Sequence, residues 1–96
     1  MKGGSVSDFI DHTTYEECAV LYHGIKYFFH GLIHNEQEKT YSYVIDVWDD
    51  KGGYVKTVFD RTAESANECV DLAQRAPIFD GKSFWEAEPD MEWIEW

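Results

Sequence analysis

Residues Thr40 to Trp48 alternate without a break. In an extended chain Tyr41, Tyr43, Ile45 and Val47 fall on one side, and Ser42, Val44, Asp46 and Trp48 fall on the other. A nine-residue segment with one apolar face must lie in a sheet that buries that face, so this stretch constrains the fold more than any other. Its flanks say how the sheet continues. Asp49-Asp50-Lys51-Gly52-Gly53 is a turn by composition, and Tyr54 to Phe59 reads as the returning strand. Upstream, Asn35 to Lys39 is a polar loop. Before it, Ile25, Tyr27, Phe29, Gly31 and Ile33 share one face, with Lys26, Phe28, His30, Leu32 and His34 opposite.

Residues 15–23 admit two readings. Thr14-Tyr15-Glu16-Glu17 fits a capping box with Gly24 as a helix stop. Alternatively Cys18 to Tyr22 is a strand, and His23-Gly24 is the two-residue turn of a type I′ hairpin into Ile25. The β-branched and aromatic residues Val20, Tyr22, Ile25, Tyr27, Phe28 and Phe29 favour the hairpin. Ahead of it, Ser5 or Ser7 caps a short helix through Phe9 and Ile10 to about His12, ending at Thr13-Thr14, with residues 1–5 as a flexible lead.

After the sheet, Thr62 is a suitable N-cap for a helix running to Ala76 before Pro77. Ala66, Cys69, Val70, Ala73 and Ala76 form one stripe of small residues that permits close packing on the sheet. Asp80-Gly81 marks a turn. Ser83-Phe84-Trp85-Glu86 is a capping-box pattern opening a helical turn that closes before Pro89, and Met91 to Trp96 suits an edge strand. The expected architecture is α+β in one domain spanning residues 6–96. It comprises a short N-terminal helix, a four-stranded antiparallel meander, a C-terminal helix packed on one sheet face, and a fifth edge strand at the C-terminus.

Charge narrows the function classes. Nineteen acidic against eight basic residues give a net charge of −11. Four Trp, six Tyr and six Phe make disorder an unsuitable explanation for that charge. Phosphate-rich partners need clustered Lys and Arg, and here these are scattered singly, so direct nucleic-acid and membrane partners are not expected. No apolar run approaches the roughly 18 residues that span a bilayer, and the N-terminus lacks the apolar stretch of a signal peptide. The expected location is the cytoplasm, with Cys18 and Cys69 as free, buried thiols.

No motif specifies a catalytic chemistry or a cofactor. His30 and His34 on a strand sit roughly 13 Å apart, too far for one ion, and His12 and His23 add no ligand spacing. Asp46, Asp49 and Asp50 precede Gly52-Gly53 without the alternating oxygen ligands of a calcium loop. No Gly-x-Ser-x-Gly elbow is present. The expectation is therefore a non-catalytic module without metal or cofactor. The C-terminal segment is the most suggestive stretch: Trp85, Glu86, Glu88, Asp90, Glu92, Trp93, Glu95 and Trp96 interleave rings with carboxylates and include no Lys or Arg. Rings can anchor a partner while carboxylates steer a basic surface towards them. The leading expectation is a protein that binds a basic partner, as inhibitors, immunity proteins and DNA mimics do. The alternatives are a homodimer formed through a sheet edge or the Trp93/Trp96 surface, and a small enzyme or metal-dependent protein built on the histidines.

Overall fold

A computed structural model describes residues 1–94 of the 96-residue chain. The elements are α1 (Val6–Tyr15), β1 (Cys18–Tyr22), β2 (Ile25–Asn35), β3 (Thr40–Trp48), β4 (Tyr54–Ala63), α2 (Ala66–Arg75), α3 (Phe84–Ala87) and β5 (Glu92–Ile94), with a 3₁₀ turn at Glu88–Asp90. All five strands form one antiparallel sheet in the order β4-β3-β2-β1-β5. The four-stranded meander, the fifth edge strand and the helix on one sheet face are as the sequence implied. The hairpin at Tyr22–Ile25 also forms: His23 and Gly24 take φ of 50° and 76°, which a type I′ turn requires at both central positions.

Three features differ from expectation. Helix α1 does not stop at Thr13. The Thr13 and Thr14 hydroxyls both donate to the Ile10 carbonyl at 3.0 Å, which lets these turn-forming residues sit inside the helix. Ser5 is its cap, accepting from the Asp8 N–H at 3.1 Å. Strand β4 continues past Phe59 to Ala63, so Thr62 is a strand residue, its hydroxyl 2.9 Å from that of Ser42. The cap of α2 is instead Ser65, accepting from the Glu68 N–H at 3.1 Å.

The third difference changes which residues face the core. Between Phe29 and Leu32, strand β2 advances three residues while β3 advances two, from Ile45 to Tyr43. The extra residue is absorbed at Gly31, whose φ of 83° is open to glycine at little cost. Past this bulge the faces swap. Leu32 packs against the core, His34 stacks on Tyr41 at 4.5 Å, and Ile33 turns outward, 52% exposed. Strict alternation had placed Ile33 with Phe29, and Leu32 and His34 with His30.

The core lies between the sheet and both longer helices, α1 against β1 and β2, and α2 against β3 and β4. Cys69 and Ala73 of α2 are buried, as the small-residue stripe implies. Phe79 and Phe84, from the segment after α2, complete the core from below. The Phe79 ring lies 4.9 Å from Tyr27 and 6.1 Å from Phe29, while Phe84 stacks on Phe9 at 5.9 Å. Fully burying each of these rings contributes about 1.5–3 kcal/mol, so the aromatics are the main source of cohesion in so small a domain. Residues 1–5 run beside β5: the Lys2 N–H donates to the Met91 carbonyl and the Lys2 carbonyl accepts from the Trp93 N–H, each at 2.8 Å.

Candidate partner-binding surface

The residues of the C-terminal segment divide into those held by the fold and those turned to solvent. Ser83 caps α3 reciprocally: its N–H donates to Glu86 Oε1 at 3.0 Å, and the Glu86 N–H donates to Ser83 Oγ at 3.4 Å. The backbone bond from Ser83, followed by its hydroxyl, holds the Glu86 carboxyl below the ordinary glutamate range. Glu88 accepts from the Met1 amine at 2.9 Å and is largely covered. Asp90 and Glu92 are exposed.

The two described tryptophans diverge. Trp85 is 49% exposed, its ring 5.5 Å from Phe84. Trp93 turns towards the core, with its ring 5.4 Å from Phe9 and 5.2 Å from His12. A Cβ on Gly4 would stand 2.7 Å from the Trp93 indole, so glycine there lets the N-terminal residues lie against the ring. Ile94 is half-buried on the other sheet face, opposite Ala19. Glu95 and Trp96 lie outside the described residues.

Sequence reasoning confined this surface to the C-terminal segment and missed its second half. Trp93 packs on α1, which brings the α1 carboxylates to the same end of the sheet. A groove of about 470 Å³ runs there, lined by Gly3, His12, Glu16, Glu17, Cys18, Trp93 and Ile94. Glu16 is 3.1 Å from His12 Nε2, and Glu17 is exposed. Asp8, Asp11, Glu16 and Glu17 share residues 6–17 with no Lys or Arg, as Glu86, Glu88, Asp90 and Glu92 do residues 83–94. That first acidic run was legible in the sequence. Its proximity to the second was not, because it depends on β5 pairing with β1. The far edge of the sheet differs in carrying cations among its acids: Lys56 and Arg61 flank Asp60 on β4, and Arg75 pairs with Asp71 on α2.

A second polar cluster sits on the sheet face away from the helices. His30 Nε2 is 2.5 Å from Asp46 Oδ2, Thr57 Oγ1 donates to Asp46 Oδ1 at 2.7 Å, and Tyr54 Oη is 3.0 Å from Thr57 Oγ1. Asp46 is 6% exposed, and Phe28, its cross-strand neighbour, 3%. Alternation had put Asp46 on this face but carried no sign of its burial or of His30 as its partner. The other histidines meet different neighbours: His12 meets Glu16 and Trp93, His23 stacks on Tyr22 at 3.9 Å, and His34 stacks on Tyr41. Asp49 serves its turn, accepting from the Lys51 and Gly53 N–H groups at 2.9 and 2.7 Å. Among the described residues no three His, Cys, Asp or Glu side chains converge on a common centre. Both cysteines are free and buried, and burial pushes the Cys18 thiol up to about 11, with Glu16 adding to the shift.

Comparison of the chain with protein-family models, with curated proteins and with solved structures found no match.

Proposed function

We propose that this chain is a non-catalytic interaction module that binds a basic protein at the end of the sheet where α1 and the C-terminal segment meet. One observation carries the reading: Glu16 and Glu17, from a stretch free of Lys and Arg, line one groove together with the Trp93 indole, from a second such stretch far away in sequence. A Lys or Arg side chain entering that groove would meet Glu16 and Glu17 together with the Trp93 ring, combining charge pairing with a cation–π contact. Net charge of −11 would steer a basic partner over longer range.

The structure refines the choice of test residues. Glu86 and Glu88 hold α3 and the N-terminus, so replacing them would confound binding with folding. Glu16, Glu17 and Glu92 are exposed. The triple variant Glu16→Gln/Glu17→Gln/Glu92→Gln should fold cooperatively and melt no lower than wild type. Against a basic protein captured from host lysate at low salt, it should associate about tenfold more slowly, with a shallower dependence on salt. Unchanged association by that folded variant would remove the groove as the binding site.

The homodimer alternative rests on β4, an edge strand with exposed Tyr54 and Val55. Its register shifts leave Val55 and Val58 as extra residues, and these bulges interrupt the edge over residues 54–58, the part where the exposed Tyr54 and Val55 would have to pair.

A further inference from the structure

The acidic groove leaves the opposite edge of the sheet without a role. There, a groove of about 590 Å³ runs between β4 and the end of α2. One wall is made of five consecutive residues, Thr57 to Arg61. Side chains of a strand alternate between faces, so only the strand's edge presents five in a row. β4 is the outermost strand, and its outer side pairs with no other strand among the described residues. The other wall supplies half-buried Leu72, Ala76 and Ile78, together with the guanidinium of Arg75.

We infer that this groove accepts an extended peptide segment of a partner protein, added as a strand along the outer edge of β4, in which apolar side chains alternate with Asp or Glu. The template is Phe59–Ala63, which pairs with β3 from Ile45 to Tyr41 without a register shift. Backbone groups along it supply hydrogen bonds, and the groove floor takes every second side chain. Charge selects the occupant. Arg61 is exposed and makes no ion pair among the described residues. Arg75 is held only from one side, by Asp71 at 2.8 Å, and its side chain is 65% exposed. Asp60 also borders the groove, but strand alternation turns it to the face away from α2, so on the α2 side the two guanidiniums are the charged groups and favour a carboxylate-bearing guest. A second copy of the chain fits less well. Antiparallel pairing centred on Asp60 or Arg61 sets like charges face to face.

The probe is a fluorescein-labelled peptide of alternating Val and Glu, compared with the same peptide N-methylated at the alternate backbone positions whose N–H groups would face β4. Anisotropy should saturate with the first peptide, weaken by about tenfold or more with the second, and weaken comparably with Arg61→Glu, a substitution at an exposed position. Hydrogen exchange at residues 59–63 should slow on binding. The proposal is overturned by absence of saturable binding, by equal affinity of the N-methylated peptide, or by slowed exchange elsewhere. A dimer at sedimentation equilibrium without peptide, protected at the same residues, would overturn it in favour of a second copy. None of these results bears on the acidic groove, which lies at the other edge.

Discussion

Burying a carboxylate costs free energy unless its oxygens find donors, and Asp46 engages both. One oxygen meets the His30 imidazole and the other accepts from the Thr57 hydroxyl. Because His30 and Thr57 come from strands on either side of β3, the carboxylate ties β2 to β4 across the middle of the sheet. The two partners should therefore be energetically coupled. His30→Ala and Asp46→Asn should each destabilise the protein by about 1–3 kcal/mol in urea unfolding. The double variant should lose less than the sum, by about 0.5 kcal/mol or more. Strict additivity would mean that the contact contributes nothing beyond the separate burial of each side chain.

At the scale of elements, β2 carries the most information per residue. α1 ends directly above its bulge: a Cβ on Gly31 would sit 3.0 Å from the Glu16 carbonyl oxygen in a backbone conformation with φ of 83°. Gly52 has a similar φ of 80° but opens to solvent, so it isolates the conformational cost, about 1–2 kcal/mol, from the steric one. Gly31→Ala should lower stability by clearly more than Gly52→Ala in the same urea assay; equal losses would show that α1 yields readily. The bulge also marks what alternation could not give. Strands β3, β1 and the hairpin turn were legible because Tyr41 to Val47 alternate and His23-Gly24 suits positive φ. The swap of Leu32 with Ile33 was not, since a single glycine inside a strand pattern has no fixed meaning until a neighbour approaches it. Thr62 likewise looked like a cap because Ser65, three residues on, competes for the same role and wins only once β4 pairs through Ala63 with Tyr41. The capping box at Ser83 was legible, since both of its bonds are local. It gives a pH signature. Glu86 binds its proton less tightly when folded, so its contribution is present above the unfolded glutamate value of about 4.3 and is lost as pH falls through the lower folded value. The stability advantage of wild type over Glu86→Gln should hold near neutral pH and close on acidification through that window. A gap unchanged at low pH would assign the effect to side-chain packing.

The whole molecule combines a strongly cohesive aromatic core with an electrostatically strained surface. Among the described residues, Asp71 pairs with Arg75 and Glu88 with the Met1 amine, while Glu16, Glu17, Asp90 and Glu92 are exposed. The β5–β1 pairing also sets Trp93 and Ile94 beside Glu16 and Glu17, which adds an acidic rim at that edge of the sheet. A compact chain of net charge −11 repels itself more than its expanded unfolded form does. Surface charges are screened over about 10 Å at 0.1 M salt and about 3 Å at 1 M. Raising sodium chloride from about 0.02 M to about 0.5 M should therefore raise the melting temperature by a few degrees. The Glu16→Gln/Glu17→Gln/Glu92→Gln variant should gain less from the same salt, having already lost part of the repulsion, and should melt at or above wild type at low salt. That outcome would mark these carboxylates as held against the interest of stability, which is what a surface retained for binding a basic partner requires. A variant that melts lower, with an unchanged salt response, would instead make them contributors to the fold and leave the acidic edge without a functional argument.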